Sequence, residues 1–340
     1  MRFLFTPLAI LYGIITILRN FFYNIGIFKT TKISIPVISV GNITAGGTGK
    51  TPMTITLAEA AKLQGFKPGI VSRGYGRKSK GMHIVHDGNE MKSIVENSGD
   101  EPYLMASLLK DVPVAVSEKR VDGAKALIQN FDVDLIILDD AFQHRKFFRN
   151  IDILLMNASE KSNAYHMLPV GKLREMPWGL KRADYVIVTK GYVSEIPESM
   201  QRFMGNTIKS SQLFKAKKYT YNGYESAEHC KEESCGCVSS PIFGFCGIAH
   251  GDFFFNMLKT MKIEISDSIS FKDHVNYDDA TMATLTSKIN ASNTKTVITT
   301  EKDLMKLPNT FFEEYNIHVL TMEIKVDSGF INELFDGLKT

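Results

Sequence analysis

A glycine-rich loop between residues 37 and 63 carries the most specific chemistry in the sequence. The stretch reads VISVGNITAGGTGKTPMTITLAEAAKL, which has the strand, glycine loop, Gly-Lys-Thr and helix order of a Walker A element. Backbone N–H groups of such a loop turn toward phosphate oxygens, while Lys50 reaches the β and γ phosphates and Thr51 binds Mg²⁺. The first glycine of the usual motif is Thr44 here, so the loop is a variant. We predict that nucleotide phosphates bind to Thr44, Ala45, Gly46, Gly47, Thr48, Gly49, Lys50 and Thr51.

Two acidic residues end a second apolar run. The segment DLIILDD places Asp139 and Asp140 at the carboxyl end of a predicted strand, where ligands bind in parallel α/β sheets. Hard cations prefer oxygen ligands, so one carboxylate can hold Mg²⁺ directly or through water. Paired acids at a strand end are also common as solvated turn residues. The following FQHR, residues 142–145, favours the metal-binding interpretation because its polar groups converge beside the phosphate site.

Asp100, in GDEP, and His274, in the pair DH, each have a structural and a catalytic interpretation. Asp100 precedes Glu101, Pro102 and an apolar run, so it would serve well as a helix N-cap. His274 reads equally as an ordinary loop residue. From these residues alone, capping explains Asp100 better than catalysis does.

A basic loop follows the predicted strand KPGIVS. It contains Arg73, Tyr75, Arg77, Lys78 and Lys80. Such loops are usually solvated turns, yet this one begins at a strand end near the phosphate site. An anionic acceptor would account for its charge.

The elements that must position these residues alternate between short β-branched runs and helical stretches. The runs are IPVISV, KPGIVS, VPVAV, VDLIILDD, DILLM and ADYVIVTK. This alternation predicts an α/β fold, a P-loop NTPase-like parallel sheet with helices on both faces, over residues 29–212. A polar, glycine-bearing stretch at 213–240 predicts a β-hairpin-like linker. A second, smaller α/β lobe is predicted at 241–340, with the strands PIFGFCG, SISF, TVITT and HVLTMEI.

The N-terminal segment is strongly apolar. Residues 3–18 read FLFTPLAILYGIITIL without a charge, and no small-residue cleavage site is evident before Lys29. These 16 residues fall short of the roughly 20 that cross a bilayer, so an interfacial or oblique helix fits as well as a spanning one. The alternative is a core helix. We expect residues 1–28 to form a membrane-associated helix.

The charge balance excludes one broad class of partner. Forty Lys and Arg residues against 37 Asp and Glu leave a net charge of +3, far from the basic field of a nucleic-acid-binding protein. No obligate protein partner is evident from the sequence.

The cysteines indicate a reducing environment. Four are present, and Cys230, Cys235 and Cys237 cluster in a pattern too uneven for a disulfide framework. With His229 they contain enough soft ligands for zinc, but C-x4-C-x-C is not one of the strong paired spacings. A lineage-specific loop is the simpler interpretation.

Six segments in order along the chain resemble the signature series of the tetraacyldisaccharide 4'-kinase family. They are GNITAGGTGKTP at 41–52, SRGYGRKSKG at 72–81, GDEP at 99–102, LDDAFQHR at 138–145, DH at 273–274 and TEKD at 300–303. The apolar N-terminus and LPVGKLRE at 168–175 fit the same series. Ala141 stands where family members commonly have Gly, and the cysteine-bearing insert is unfamiliar. Neither departure touches a group that the chemistry needs.

The resemblance implies ATP and Mg²⁺ as cofactors, and transfer of the γ-phosphoryl group to the 4'-hydroxyl of a tetraacyl disaccharide 1-phosphate. It implies a place at the cytoplasmic face of the bacterial inner membrane, where this lipid disaccharide acceptor lies. Asp100 is the implied base, working with His274. Thr51, Asp139 and Asp140 are expected at the metal. The residues expected to bind the acceptor are Asn42, Arg73, Tyr75, Arg77, Gln143 and His144.

The alternative function is a P-loop switch or partner-binding ATPase at the membrane. Guanine-specific switches carry an [NT]-K-x-D element. Neither VTKGY at 188–192 nor TEKD at 300–303 has that spacing. A requirement for the lipid acceptor in ATP turnover distinguishes the two functions.

Overall fold

The structure is a computed structural model that describes residues 5–220, 223–224, 241–248 and 251–339. Its contacts divide the chain into two compact units. Unit 1 comprises Met1–Gln212 and Glu323–Thr340, and unit 2 comprises Leu213–Met322. The C-terminal 18 residues, predicted to belong to the second lobe, therefore group with unit 1.

Unit 1 contains the phosphate loop and most of the helices. Its strands are β1 (Val37–Asn42), β2 (Pro68–Ser72), β3 (His83–His86), β4 (Val114–Val116), β5 (Leu135–Leu138), β6 (Ile151–Asn157), β7 (Tyr185–Thr189) and the first part of β8 (Asn206–Thr220). Its helices are α1 (Thr6–Asn24), α2 (Lys50–Leu63), α3 (Val95–Ser98), α4 (Asp100–Leu108), α5 (Arg120–Asn130), α6 (Glu198–Gln201) and α11 (Ser328–Lys339). Short 3-10 helices lie at Ser162–Tyr165, Pro177–Arg182 and Val193–Glu195.

The strands of unit 1 run in the order β8-β7-β6-β1-β5-β2-β4-β3. All of these neighbours pair in parallel except β3, which is antiparallel to β4. Strand β1 lies between β5 and β6, with Ile38 opposite both Ile137 and Ile151. The carboxyl ends of β1 and β5 therefore meet at one edge of the sheet, as the sequence predicted.

Alternate residues of the central strands enter two separate cores. On β5, Ile137 belongs to the core that contains Leu57 of α2, whereas Ile136 belongs to the core that contains Leu127 of α5. Successive side chains of a strand point to opposite faces, so α2 and α5 cover opposite faces of the sheet. Helix α11 adds Phe335 to the first of these cores. The predicted parallel sheet with helices on both faces is confirmed.

Unit 2 is a smaller α/β layer. Its elements are the second part of β8, β9 (Gly223–Tyr224), β10 (Ile242–Cys246), α7 (Gly251–Thr260), β11 (Ile265–Ser270), α8 (Asp279–Ala291), β12 (Thr296–Thr300), α9 (Glu301–Leu304), α10 (Asn309–Glu314) and most of β13 (Asn316–Val326). Strands β11, β10, β12 and β13 are neighbours in that order, and all pair in parallel. Of the predicted hairpin-like linker, β8 pairs antiparallel with β9, and residues 221–222 and 225–240 lie outside the described chain.

Helix α1 is long and apolar enough to cross a membrane, judged by length and composition. Only 17% of its apolar window is buried. The buried residues are Ala9, Gly13 and Thr16, whereas Ile10 is 59% exposed. This exposure disagrees with the alternative that α1 is a core helix.

Candidate active site

The phosphate loop follows β1 and ends at Gly49, the N-cap of α2. The buried Asn42 amide donates to Thr48 Oγ1 at 3.0 Å and to the carbonyl oxygen of Gly46 at 3.4 Å. From β7, Thr189 Oγ1 donates to the carbonyl oxygen of Thr48 at 3.0 Å. Asn42, which was predicted to bind the acceptor, thus braces the nucleotide loop from inside. Three hydrogen bonds from the side chains of Asn42 and Thr189 therefore hold this loop.

A second segment runs along the outer side of this loop. The amide of Ala45 donates to the carbonyl of Lys172 at 2.7 Å, and the amide of Arg174 donates to the carbonyl of Ile43 at 2.8 Å. Thr44, at the position of the missing motif glycine, is 3% exposed and forms a β-bridge with Leu173. The residue at position 44 therefore fixes the loop against residues 172–174.

Asp140 contacts three cationic residues, Lys50, Arg174 and Arg120. Its Oδ1 lies 3.8 Å from Lys50 Nζ and accepts a hydrogen bond from Arg174 Nη1 at 2.7 Å. Its carbonyl oxygen accepts from Arg120 Nη2 at 3.1 Å. Burial opposes ionisation, but Lys50 and Arg174 hold the pKa of Asp140 below its ordinary value. The residue also has φ of 46°, which is uncommon outside glycine. Asp140 is an ionised anchor for the lysine of the loop.

The pKa of Asp139 is shifted in the opposite direction from that of Asp140. It is 1% exposed, and its Oδ2 accepts a hydrogen bond from Ser72 Oγ at 2.9 Å. Its Oδ1 is buried and has no hydrogen-bond partner among the described residues. Burial, together with the carboxylates of Glu101 and Asp140, raises the pKa of Asp139 to about 7. A buried carboxylate oxygen without a partner is poised to accept a cation.

The residues present fit Mg²⁺. An ion would satisfy the unpartnered Oδ1 of Asp139 and offset the repulsion from its acidic neighbours. Thr51, the predicted second ligand, is the second residue of α2 and is 5% exposed. Among the described residues, no three His, Cys, Asp or Glu side chains form a metal cluster. Mg²⁺ needs none, because it usually takes one or two protein oxygens, phosphate oxygens and water.

A glycine on β1 allows the acidic turn to approach the phosphate loop. A Cβ atom built on Gly41 would lie 2.6 Å from Cβ and 2.7 Å from the backbone nitrogen of Phe142. Any larger residue at position 41 would push away the turn that carries Asp139 and Asp140.

The basic loop packs tightly against the turn before Asp100. Gly99 has φ of 88°, and a Cβ atom there would lie 2.9 Å from the carbonyl oxygen of Tyr75. The amide of Lys78 donates to the carbonyl oxygen of Glu96 at 2.7 Å. Arg73 and Tyr75 remain exposed. The structure therefore brings these two predicted acceptor-binding residues beside the segment that leads into Asp100.

Arg77, in the same loop, has a structural contact. Its Nη2 lies 2.6 Å from Glu118 Oε1, and only 3% of its side chain is exposed. The same nitrogen donates to the carbonyl oxygen of Gly81. This guanidinium holds the loop closed on itself, whereas the exposed Arg73 leaves its charge available to a ligand.

Asp100 is the first residue of α4, and the N-cap position belongs to Gly99. The capping role considered for Asp100 is therefore not the one that the structure shows. His274 lies in unit 2, in the left-handed region at φ of 57°, with its Nε2 3.9 Å from Asp273 Oδ2. The pairing of Asp100 with His274 stays a prediction.

Gln143 and His144 follow the acidic turn. Gln143 Nε2 donates to the carbonyl oxygen of Asn42 at 2.9 Å and to Glu175 Oε1 at 3.0 Å. Burial, followed by the charge of Arg120 and other cations, lowers the pKa of His144 to about 4. His144 is therefore neutral near pH 7.

Four residues around the site had no role in the sequence prediction: Ser72, Arg120, Arg174 and Glu175. Arg174 and Glu175 lie in LPVGKLRE, a segment that belongs to the family resemblance, so the resemblance held a signal for them. Arg120 begins α5 and gave no such signal. Cys230, Cys235 and Cys237, considered as zinc ligands, lie outside the described residues.

A sequence model of the tetraacyldisaccharide-1-P 4'-kinase family matches residues 1–339. The chain belongs to this family. The family resemblance and the predicted kinase class are thereby confirmed.

Relatives agree in name and length with this tetraacyldisaccharide-1-P 4'-kinase assignment. The tetraacyldisaccharide 4'-kinase of Shewanella halifaxensis is 33% identical over 334 residues, which cover 98% of this chain and 92% of the relative. That of Chlorobaculum tepidum is 36% identical over 312 residues, covering 89% and 86%. A crystal structure of LpxK from Aquifex aeolicus in complex with ATP superimposes with a TM-score of 0.82 at 32% identity, covering 99% of each chain.

Proposed function

We propose that this chain transfers the γ-phosphoryl group of ATP to the 4'-hydroxyl of a tetraacyl disaccharide 1-phosphate. Family membership supports the reaction, and the complex of Aquifex aeolicus LpxK with ATP supports ATP as the donor. The observation in this chain that supports the proposal is the buried carboxylate of Asp139, which would suit a cation. Its unpartnered buried oxygen lies on the residue next to Asp140, which anchors Lys50 of the phosphate loop.

The residues of the phosphate loop bind and align the triphosphate. Backbone N–H groups of Gly46, Gly47 and Gly49 meet the phosphate oxygens, and Lys50 stabilises the charge that develops on the transferred group. Asp139 and Thr51 would hold Mg²⁺, which would supply further neutralisation of the phosphates. Asp140 keeps Lys50 in reach of the γ phosphate through their 3.8 Å contact.

Asp100 takes the proton of the acceptor hydroxyl as the hydroxyl oxygen attacks the γ phosphorus. The P–O bond to the β phosphate breaks, and ADP leaves. His274 assists Asp100, as the family resemblance implies. General-base assistance usually contributes roughly 10²- to 10⁴-fold in rate, so these residues serve the reaction more than the fold.

Exposed groups of the basic loop bind the acceptor. Arg73 and Tyr75 are exposed, and the guanidinium of Arg73 suits a phosphate of the lipid headgroup. The side-chain oxygen of Gln143 and the neutral His144 offer hydrogen bonds to sugar hydroxyls. Arg77 supports this surface by its ion pair with Glu118.

Helix α1 attaches the enzyme to the membrane that holds the acceptor. Its exposed face presents Ile10, Leu11, Ile14 and Leu18, and burying apolar area of this kind drives interfacial binding. Because ATP is cytosolic, we place the enzyme at the cytoplasmic face of the inner membrane.

The test is transfer of label from γ-labelled ATP to the purified disaccharide monophosphate lipid, with the product resolved by chromatography. We expect a bisphosphorylated lipid with the wild-type enzyme and almost none with Lys50→Ala. ATP hydrolysis that proceeds equally without the lipid, and leaves the lipid unlabelled, would favour the switch or partner-binding ATPase instead.

A further inference from the structure

Helix α1 carries a polar stripe that membrane attachment does not require. Tyr12, Thr16 and Asn20 recur every four residues on the face that also buries Ala9 and Gly13. A membrane-attached helix can meet the protein through apolar contacts alone, so this stripe calls for a separate explanation.

The helix approaches residues 174–176 closely. A Cβ atom on Gly13 would lie 3.3 Å from Met176 Cε, so a glycine permits this packing distance. Tyr12 Oη donates to the carbonyl oxygen of Arg174 at 3.0 Å, and Asn20 Nδ2 donates to Glu175 Oε2 at 2.9 Å. Two side chains of one helix thus fix two consecutive residues beside the phosphate loop.

Glu175 connects this helix to the site. It is 0% exposed and accepts hydrogen bonds from Asn20, from Gln143 and from both terminal nitrogens of Arg182. Burial opposes its ionisation, but these donors, led by Arg182, hold the pKa of Glu175 below its ordinary value. A fully buried carboxylate must keep its donors, because each one lost leaves part of the charge uncompensated.

Gln143 links Glu175 to the end of β1 by hydrogen bonds. Its Nε2 bridges Glu175 and the carbonyl oxygen of Asn42, the residue that braces the phosphate loop. Arg145, two residues further on, donates through Nη1 to the carbonyl oxygen of Asn20 at 2.9 Å. The segment 143–145 is therefore attached to α1 directly at Arg145 and through Glu175 at Gln143.

We propose that α1 positions the acceptor-binding segment 143–145 through Asn20 and Glu175, in addition to attaching the enzyme to the membrane. Asn20 and Glu175 are positioning residues, since they act through Gln143. The proposal rests on the proposed function for the role of that segment. As a consequence, the orientation of α1 at a membrane is linked to the positions of residues 143–145, which bind the acceptor.

The variant that tests this is Asn20→Leu, which supports the helix at least as well as Asn, keeps a side chain of similar size and removes the donor to Glu175. Its matched control is Thr16→Val, on the same buried face, where the lost hydroxyl donates to the carbonyl oxygen of Gly13 within the helix. In mixed micelles at fixed surface fraction of the acceptor, Asn20→Leu is expected to raise the KM for the acceptor about tenfold, the worth of a hydrogen bond to a charged group. The KM for ATP, liposome flotation and the Thr16→Val enzyme should stay within about twofold of wild type.

A double-mutant cycle with Gln143→Met tests the route. If Asn20 acts through Gln143, the double variant is barely worse than Gln143→Met alone. Losses that multiply, or an Asn20→Leu enzyme with the wild-type KM for the acceptor, would overturn the proposal.

Amide hydrogen exchange of residues 141–145 tests the positioning without any turnover. Exchange should be faster in Asn20→Leu and unchanged in Thr16→Val. Unchanged exchange in Asn20→Leu refutes the positioning role. Faster exchange in an enzyme that phosphorylates no lipid supports the positioning and refutes the proposed function instead.

Discussion

Lys50 Nζ lies 3.8 Å from Asp140 Oδ1, the same oxygen that accepts a hydrogen bond from Arg174 Nη1 at 2.7 Å. Two cations thus share one carboxylate at the mouth of the phosphate loop. The arginine takes the shorter contact, which leaves Lys50 free to turn toward an arriving phosphate. The balance between these two contacts sets how readily the lysine leaves Asp140.

Removing Lys50 should therefore have a different effect on the kinetics from removing Arg174. Lys50→Ala is expected to lower kcat roughly 10²-fold or more, because the transferred group loses its charge partner. Arg174→Ala should raise the KM for ATP with a smaller loss of kcat, because Asp140 then holds Lys50 more tightly. Steady-state kinetics of both variants, with thermal melting as the folding control, check this. Equal effects of the two substitutions on kcat would contradict the division of roles.

The state of Asp139 predicts a pH dependence of stability. Its pKa is about 7 in the folded protein against an ordinary 3.8. Between these two pH values the folded state keeps a proton that the unfolded state has released, so the free energy of unfolding falls as pH rises toward 7. Asp139→Asn lacks this contribution and should lose less stability between about pH 5.5 and about pH 8 than wild type. Melting temperatures of both proteins at the two pH values make the comparison.

The same carboxyl predicts a pH dependence of magnesium binding. Mg²⁺ needs the deprotonated form, so the increase in melting temperature on adding Mg²⁺ with ADP should be larger at about pH 8 than at about pH 6. Asp139→Asn should show little of this difference. A wild-type increase that does not change with pH would argue against Asp139 as a metal ligand.

The local parts of this site follow from the sequence, and the long-range parts do not. The order of β1, loop and α2 is a contiguous pattern, and two acids after an apolar run mark the end of β5. Arg174 and Glu175 lie in an irregular segment with no periodicity, and their partners Asp140 and Asn20 are 34 and 155 residues away. Only folding brings such pairs together.

Two elements differed from prediction for similar reasons. Helix α11 is amphipathic, but its pattern does not say which sheet it covers, and Phe335 packs into the core of unit 1. Strand β8 begins at Asn206, before the predicted linker. The sequence did not predict this start because polar residues in β8 obscure the alternation expected of a strand.

Deleting residues 1–28 is expected to weaken membrane association more than nucleotide binding. The exposed face of α1 carries the apolar area that favours the bilayer, whereas the phosphate loop follows β1. Flotation with liposomes and the affinity for ADP should be compared for the truncated and full-length proteins. Equal flotation of the two would contradict an anchoring role for α1.

The proposed pairing of Asp100 with His274 predicts a specific pattern of losses in kcat. Asp100→Asn and His274→Ala should each lower kcat by roughly 10²-fold or more, and the double variant should be barely worse than the worse single one. Nucleotide affinity should change little. Losses that multiply fully, or an active Asp100→Asn enzyme, would show that the two residues do not act as a unit.

The central claim is that the 4'-hydroxyl of the lipid accepts the phosphoryl group. The most direct measurement compares label transfer from γ-labelled ATP to the tetraacyl disaccharide 1-phosphate and to the same lipid blocked as its 4'-O-methyl ether. We predict one labelled phosphate for each ADP formed with the free 4'-hydroxyl, and no labelled lipid with the blocked one. Equal labelling of both lipids would contradict phosphorylation at the 4' position.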